Sequence, residues 1–352
     1  MMRLGSKMSE VTVFGAGIFG LSIAWACLGK GAEVTVIDPH GPGAGASGGV
    51  LGAMVPHVPE NWNKKKAFQF NSLLLAKDFW SDVDAVSGIS SGYGRHGRLQ
   101  PINDLAALER ARKRAETSET LWEGLASWDV VDCPQRNDFA PIATTGYAVS
   151  DTLSARINPR KALESLSKAI RLKGGRIMRR GSPRGKIVHA TGVAGLIELS
   201  RETGRSVGGA VKGQGALLEY SVPGHPQIFA DSIHVVPHDD GTVAVGSTSE
   251  REYSDPIGTD AQLDRIIDLA VRVVPALKDA RVLERWAGLR PRALSRAPML
   301  GNHPVRKGEF IANGGFKIGF GMATGVAGAM ADLVIDGIDA IPEEFRPDAS
   351  FS

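Results

Sequence analysis

The chain contains very little cysteine. Only Cys27 and Cys133 occur among its 352 residues, and they lie far apart. This excludes a disulfide framework, and no cysteine or histidine pair has the spacing of a metal-binding motif. We therefore predict no metal site. Cys27 falls on the apolar side of a predicted helix, where a buried, reduced thiol is expected.

Long apolar runs are also missing. No stretch approaches the roughly 20 apolar residues that a transmembrane helix requires. The first eight residues contain Arg3 and Lys7 but lack the apolar core of a secretion signal. We therefore expect no membrane span and a cytoplasmic location.

An excess of charge of one sign is missing as well. The sequence has 41 Lys and Arg against 38 Asp and Glu, so its balance does not by itself indicate nucleic acid or an acidic membrane surface as a partner. The length and the 43% of hydrophobic residues are typical of a globular protein with about two domains. Partners must therefore be inferred from local motifs.

The most informative motif is a glycine-rich turn near the amino terminus. An apolar run ending at Phe14 is followed by Gly15, Gly17 and Gly20, and then by a helical pattern from Leu21 to Leu28. The first glycine permits a tight turn, the second lets backbone N–H groups approach a pyrophosphate, and the third lets the helix lie close to the strand. This strand, turn and helix predict a dinucleotide site.

A second predicted strand, Glu33 to Ile37, ends at Asp38. A carboxylate at that position accepts hydrogen bonds from ribose hydroxyls, which favours FAD or NAD. The alternative is a chance glycine pattern. Because strand, helix, second strand and terminal Asp38 all occur in register, we favour the dinucleotide site.

Two further glycine-rich segments are candidates for cofactor contact. The loop from His40 to Met54 follows the second strand directly, so we favour close backbone approach to a cofactor over a flexible linker. The segment from Gly314 to Gly321 precedes a predicted helix, Met322 to Ile335. It forms a second candidate phosphate or flavin cradle, because a helix amino terminus favours anions.

The remaining pattern predicts an α/β fold of two domains. Runs at 216–220, 227–237 and 242–247 read as strands of a largely antiparallel sheet, and helices are predicted at 64–79, 105–128, 158–172 and 261–274. We assign residues 1–90, 152–212 and 296–352 to a Rossmann-like, discontinuous cofactor domain. Residues 91–151 and 213–295 are assigned to an inserted substrate domain.

The segment from Arg171 to Lys186 is strongly basic. Such a cluster could contact the phosphate of a cofactor or of RNA. We favour the simpler interpretation, a short solvated hairpin.

Taken together, these motifs resemble the D-amino-acid oxidase superfamily of FAD oxidoreductases, and most closely its glycine oxidase and thiazole-pathway oxidase branch. The resemblance covers nearly the whole chain. The motifs on which it rests are GAGIFG, ASGGVLGAM, NPRKAL, HATG, VVPHDDGTVAVGST, RWAGLRP and NGGFKIGFG. It implies a two-domain flavoprotein that oxidises a carbon–nitrogen bond beside a carboxylate, with oxygen the usual acceptor. Relatives with covalent flavin use a cysteine in the last motif, and none occurs here, so FAD should be noncovalent.

The resemblance also assigns residues to the site. Arg290 matches the arginine that holds the substrate carboxylate. His234 and Lys317 stand where the branch has a tyrosine and a second arginine, and His234 could equally be an ordinary sheet residue. Ser249 replaces a methionine, which leaves the amine substrate open. The candidate FAD contacts are Gly15, Gly17, Ile18, Phe19, Gly20, Asp38, Pro39, Ala46, Ser47, Gly49, Val50, Leu51, Thr191, Gly192, Gly315, Phe316, Lys317, Ile318, Gly319 and Phe320.

We therefore expect an FAD-dependent oxidase of glycine, sarcosine or a D-amino acid. Its partners would be that amine and oxygen or another electron acceptor, and the sequence is compatible with a homo-oligomer. Two alternatives remain. One is a flavin enzyme that modifies a tRNA wobble uridine, although nucleic acid is the less favoured partner. The other is a dehydrogenase with an acceptor other than oxygen.

Overall fold

The computed structural model describes residues 9–134 and 139–351. Arg3 and Lys7 lie outside these residues. The strands are β1 Glu10–Phe14, β2 Glu33–Ile37, β3 Ala53–Met54, β4 Arg98–Ile102, β5 Trp128–Asp132, β6 Tyr147–Asp151, β7 Ala155–Arg156, β8 Arg176–Met178, β9 Lys186–His189, β10 Gly208–Glu219, β11 Gln227–Ala230, β12 Ile233–Pro237, β13 Thr242–Gly246, β14 Arg281–Ala293, β15 Met299–Asn302 and β16 Phe310–Asn313. The helices are α1 Ile18–Gly29, α2 Lys64–Ser87, α3 Leu105–Leu121, α4 Pro159–Leu172, α5 Gly192–Thr203, α6 Ala261–Val273 and α7 Gly319–Ala331.

A six-stranded sheet forms the first layer, in the order β15-β16-β9-β1-β2-β8. The pairs from β16 to β8 are all parallel, and only β15 runs antiparallel to its neighbour. Helices α1, α2, α4 and α7 pack on one another beside it and share one large apolar core with it. Parallel strands with apolar helices between them are the Rossmann-like arrangement that the sequence predicted.

An eight-stranded sheet forms the second layer, in the order β14-β10-β13-β12-β11-β4-β6-β5. Its neighbours are antiparallel except for β11 and β4. Helix α6 contacts β10, β12 and β13 and buries a second apolar cluster against them. The predicted, mostly antiparallel sheet is confirmed.

Several local predictions need correction. The run 227–237 is not one strand but the hairpin β11–β12, because Asp231 and Ser232 adopt positive φ and reverse the chain. The helix predicted over 105–128 ends at Leu121, and Glu123 and Gly124 follow with positive φ. The last predicted helix starts earlier, at Gly319, and its regular part ends at Ala331.

The basic segment 171–186 does not form a hairpin. Its strand β8 pairs with β2 at the edge of the six-stranded sheet, whereas β9 pairs with β1. The two strands therefore run parallel in separate positions. The predicted hairpin was wrong, because parallel pairing joins strands that are far apart in sequence and the local basic residues do not reveal it.

The boundaries assigned to the two domains remain a prediction. Most strands of the two sheets follow the predicted segments, but β10 begins at Gly208, so the predicted boundary after residue 212 falls inside that strand. No helix in the described ranges is both long and apolar enough to cross a bilayer.

A pair of glycines tests the close approach of β1 to the chain before β9. Gly185 and Gly174 both have positive φ, but a Cβ on Gly185 would lie 2.0 Å from the carbonyl oxygen of Glu10, whereas nothing lies within 4 Å of a Cβ on Gly174. We expect Gly174→Ala to cost about 1–2 kcal/mol, the cost of the left-handed backbone. Gly185→Ala should cost about 1–3 kcal/mol more because of overpacking. Equal losses of unfolding free energy in urea would contradict this contact.

Candidate functional site

The turn after β1 depends on backbone contacts that only glycine allows. Gly15 has φ +101°, and a Cβ there would lie 2.2 Å from the carbonyl oxygen of Ala190, the residue that follows β9. A Cβ on Gly20 would lie 1.9 Å from the carbonyl oxygen of Gly15. The turn therefore brings β1, the start of α1 and the chain after β9 together at one point.

The amino terminus of α1 is left open to a ligand. Gly17 caps the helix without a side-chain hydrogen bond, and the first turn contains no acidic residue. The Ile18 N–H donates to Ser47 Oγ at 3.0 Å, and the first intrahelical bond runs from Leu21 N–H to Gly17 O at 3.0 Å. The N–H groups of Phe19 and Gly20 precede that bond, so the terminus can accept an anion such as a pyrophosphate.

Asp38 lies at the rim of this turn, as the sequence predicted. Its Oδ2 accepts from the Ala16 N–H at 2.8 Å, and its Oδ1 accepts from the N–H groups of His40 at 2.9 Å and Gly41 at 3.2 Å. The carboxylate therefore also fixes the turn, a role that the motif did not reveal. Oδ2 keeps a second lone pair with which it can accept from a ribose hydroxyl.

The glycine-rich loop lies directly against the eight-stranded sheet. A Cβ on Gly49 would lie 3.2 Å from the ring of Trp286, and a Cβ on Gly246 would lie 3.3 Å from Leu51 Cδ2. A Cβ on Gly215 would lie 3.6 Å from Val50 Cγ2. The loop is therefore packed between the two sheets and is not a flexible linker.

Strand register shows which face of the sheet meets this loop. Phe229, His234, Gly246, Gly215 and Trp286 are successive cross-strand partners, so they form one row across five strands. Directly paired residues of antiparallel strands project to the same face. The row therefore faces the loop, and His234 belongs to the face that would cover a flavin.

The glycine-rich segment from Gly314 to Gly321, here called the closing turn, lies on the other side of the start of α1. The Phe316 N–H donates to Pro291 O at 3.0 Å, and a Cβ on Gly315 would lie 3.0 Å from Phe19 Cζ. The preceding strand is tied to the chain after β9, since Asn313 Nδ2 donates to Gly192 O at 2.9 Å. The closing turn thus contacts both α1 and the strand that carries Arg290.

Arg290 projects from β14 over the backbone of Gly213. A Cβ on Gly213 would lie 1.8 Å from Arg290 Nη1, which shows how closely the guanidinium covers that position. Nη1 donates to Thr248 O at 3.2 Å. No carboxylate among the described residues lies within salt-bridge distance of Arg290. Desolvation lowers its pKa to about 10, partly offset by Glu250, so the group stays charged at neutral pH.

A buried polar network supports the segment that contacts Arg290. The Gln214 N–H donates to Thr248 Oγ1 at 2.8 Å, and Gln214 Nε2 donates to Glu250 Oε1 at 3.0 Å. Lys212 Nζ lies 3.5 Å from Glu250 Oε2. These residues fix the carbonyl group of Thr248 and hence the guanidinium. No sequence motif marks them, because they are scattered polar residues in ordinary strand positions.

The other two predicted catalytic residues lie in the same region. Desolvation, together with the charges of Arg98 and Lys317, lowers the pKa of His234 to about 3, so this histidine is neutral at physiological pH. Its Nδ1 is buried and has no hydrogen-bond partner among the described residues. Lys317 is exposed on the closing turn, and desolvation and then the charge of Arg290 lower its pKa.

Arg98 provides a contrast with Arg290. Its side chain is 5% exposed, and its Nε donates to the fully buried Asp151 at 2.9 Å. It also lies over the rings of Trp128 and Phe229, at 5.7 and 5.9 Å. Arg98 is thus neutralised within the protein, whereas Arg290 keeps donors for a ligand.

These positions fit FAD. Two helix amino termini, a carboxylate rim and a glycine-lined space between the sheets converge, and side chains at Gly15, Gly20 or Gly315 would push apart the elements that enclose that space. Ile18, Phe19, Ser47, Thr191 and the closing turn would hold the cofactor by backbone and hydroxyl groups. Within 9–134 and 139–351, no group of three or more His, Cys, Asp or Glu residues is arranged to hold a metal ion.

Comparison with known families decides the class. The profile of the FAD dependent oxidoreductase (DAO) family matches residues 10–333. The chain belongs to this family. It is therefore an FAD-dependent oxidoreductase, as the motifs at both glycine-rich ends predicted.

Three relatives, each less than 30% identical to this chain, illustrate its similarity to individual proteins. The chain is 28% identical over 346 residues to a putative thiamine biosynthesis oxidoreductase ThiO of Rhizobium etli, covering 92% of this chain and 95% of the relative. It is 25% identical to a glycine oxidase of Pseudomonas aeruginosa, with 93% and 95% covered. It is 26% identical to a bifunctional protein ThiO/ThiG of Nostoc sp., covering 93% of this chain. The chain spans about half the length of that bifunctional relative, 53%.

Solved structures show the same fold. Glycine oxidase from Geobacillus kaustophilus superposes with a TM-score of 0.80 at 18% identity, covering 96% of this chain and 98% of that one. Iminodiacetate oxidase from Chelativorans sp. gives a TM-score of 0.80 at 22% identity, with 96% and 98% covered. The two-domain FAD fold of these enzymes is therefore also the fold of this chain.

Replacement of Asp38 tests the cofactor rim. We expect Asp38→Ala to weaken FAD binding about ten- to a hundred-fold, since a charge-assisted hydrogen bond contributes about 1.5–3 kcal/mol. Asp38→Asn should lose less, because its amide oxygen can still accept from a backbone N–H. Titration of apoprotein with FAD, followed by quenching of flavin fluorescence, measures both. Unchanged affinity in Asp38→Ala would remove this residue from the site.

Proposed function

We propose that this enzyme oxidises the carbon–nitrogen bond of a small amino acid or secondary amino acid of the glycine, sarcosine or D-amino acid type. The observation that carries the proposal is the position of Arg290. Its guanidinium is largely desolvated, lies on the sheet face that meets the glycine-rich loop, and has no carboxylate partner in the described structure. A buried cation without a partner is costly, and a substrate carboxylate would neutralise it.

The chemistry requires positioning above all. Bound FAD supplies the acceptor for a hydride from the carbon that bears the amine. The substrate also loses a proton from nitrogen, and the resulting imine is hydrolysed by water. Arg290 would grip the carboxylate through two parallel hydrogen bonds and so fix which carbon lies over the cofactor.

The neighbouring residues favour a neutral amine. Arg290 and Lys317 both place positive charge near the substrate region, and His234 is neutral there because of its low pKa. A positive local field makes an ammonium group easier to deprotonate. The amine lone pair needed for hydride loss would then be available without a dedicated catalytic base.

The sheet face favours a small substrate. Gly213, Gly215 and Gly246 leave the face flat, while Trp286 closes its edge and would overlap a Cβ on Gly288, at 2.5 Å from Cζ2. Together with the names of relatives such as glycine oxidase, this supports a compact amino acid. We propose oxygen as the acceptor and noncovalent FAD, since neither cysteine lies in the closing turn and both are buried.

We further propose that the two sheets correspond to the two functional parts of the chain. The six-stranded sheet and its helices would hold FAD, and the eight-stranded sheet would carry Arg290 and His234 over the flavin ring. The packing of Gly49, Val50 and Leu51 against the second sheet supports this division.

Arg290 is tested most simply by Arg290→Leu. We expect flavin to stay bound while two hydrogen bonds to the substrate carboxylate, about 3–5 kcal/mol together, are lost. Catalytic efficiency should fall about a hundred- to several thousand-fold. Arg290→Lys should recover only part of this, because an ammonium lacks the planar fork. The measurement is anaerobic flavin reduction against substrate concentration.

The matched control is Arg272→Leu, which removes an exposed arginine from the last turn of α6, the helix that packs on the other face of the sheet. It should behave like the parent enzyme. If Arg290→Leu also reduces flavin with the parent's dependence on substrate, Arg290 does not bind the carboxylate.

A further inference from the structure

A second cleft lies where the β10–β14 ribbon passes the closing turn. It has a volume of about 450 Å³, and its lining includes residues 208–211 together with Arg251, Arg292 and Arg296. Gly209 pairs with Arg292, and nothing lies within 4 Å of a Cβ placed on it. The floor beside Arg292 is therefore open.

The three arginines reach the cleft from separate parts of the chain. Arg251 follows the bridge between Lys212 and Glu250, Arg292 belongs to β14, and Arg296 lies in the turn after it, at φ +58°. All three residues nevertheless line the same cleft. Arg292 also lies over the ring of Phe316, with Cζ 5.5 Å from the centroid, so the cleft adjoins the closing turn.

None of these three arginines has a carboxylate within 4.0 Å in the part of the chain that the structure describes. Many other arginines do, namely Arg98, Arg114, Arg156, Arg160, Arg281, Arg285, Arg306 and Arg346. The remaining described arginines have no carboxylate within that distance, and what distinguishes these three is that they line one cleft.

Their charges act on one another. The pKa of Arg292 is lowered first by desolvation and then by the charges of Arg251 and Arg296. Like charges held together destabilise the free protein, and a bound anion would remove that repulsion.

The backbone adds a donor. The Lys212 N–H donates to Glu250 O at 2.9 Å across the edge of β10 that faces away from β14. Successive N–H groups of a strand alternate between its two edges, so the N–H of Ala210, two residues earlier, points to the same side as that of Lys212. Residue 210 lines the cleft, and its N–H lies beyond the last bridge of that edge.

We propose that this cleft binds a small oxyanion of the phosphate class, either free phosphate or the phosphate group of a larger metabolite. A flat carboxylate offers two oxygens in one plane, which a single guanidinium can satisfy. Three guanidinium groups from separate parts of the chain, with a backbone N–H, match the several oxygens and double charge of phosphate better. The site is separate from the carboxylate anchor, so the proposal does not rest on the proposed amine oxidation.

Calorimetric titration of the holoenzyme with inorganic phosphate, at ionic strength held constant with chloride, tests this proposal. We expect saturable binding that Arg251→Gln and Arg296→Gln each weaken about ten- to a hundred-fold, the effect of losing one charge-assisted hydrogen bond. Both side chains are exposed, so neither variant should impair folding. Arg265→Gln, which removes an exposed arginine of α6, should bind as the parent does.

Thermal unfolding provides a second readout. Phosphate should raise the Tm of the parent more than chloride does at equal ionic strength, because a ligand that binds only the folded state stabilises it. This increment should shrink in Arg251→Gln and Arg296→Gln and persist in Arg265→Gln. A merely structural role would instead lower the Tm of both variants in the absence of phosphate.

Titration with AMP distinguishes free phosphate from the phosphate group of a larger metabolite, and titration with tRNA tests for a polymer. Tighter binding of AMP than of phosphate, lost in the same variants, would assign the cleft to the phosphate group of a larger metabolite. Tighter binding of phosphate would assign it to the free ion. Absence of binding by both, or equal binding by parent and both variants, would overturn the proposal. So would salt-sensitive binding of tRNA without any binding of phosphate, since the cleft would then serve a polymer.

Discussion

The rest of the structure depends on one backbone contact, the approach of Gly15 to the carbonyl group of Ala190. At this point the end of β1, the end of β9 and the start of α1 meet with no room for a Cβ. Because they meet there, the helix amino terminus, Asp38 and the Thr191–Gly192 corner surround one space. The closing turn reaches the same space through Gly315 and Phe19. Replacement of Gly15 would separate these elements.

The second constraint is electrostatic. A buried cation must be neutralised, and the protein does this within its own chain for Arg98 by pairing it with Asp151. It does not do so for Arg290, whose protein contact is the neutral carbonyl group of Thr248. The structure therefore leaves a charge for a ligand to satisfy at the face that meets the glycine-rich loop. The same reasoning applies to the cleft of Arg251, Arg292 and Arg296, which lies on the neighbouring surface.

The sequence predicted those parts of the fold that local patterns encode. The turn at Gly15 to Gly20 and the helix that begins at Pro159 each have a local signature and were found where expected. The closing glycine turn was also found, although its last three residues, from Gly319, belong to α7. The chain reversal at Asp231 was missed because it uses positive φ at Asp231 and Ser232, and these residue types do not indicate a positive φ as glycine does. The separate positions of β8 and β9 were missed because parallel pairing joins residues far apart in sequence.

The site shows the same limit. Motif resemblance proposed Arg290, His234 and Lys317 as catalytic residues, and the structure brings them to one region. Motifs did not reveal the Gln214–Thr248–Glu250 network or the three-arginine cleft, since each is assembled from strands and turns that only the folded sheet brings together. Asp38 was predicted for ribose, but its bond to the Ala16 N–H became visible only in three dimensions.

The central claim is that the enzyme passes a hydride from a small amino acid to FAD. The most direct measurement is anaerobic mixing of the holoenzyme with glycine, sarcosine and a panel of D-amino acids, with flavin absorbance as the readout. The account predicts that at least one of these compounds bleaches the flavin, and that admission of oxygen restores its colour with release of peroxide. If the flavin stays oxidised with every member of the panel, the account is contradicted.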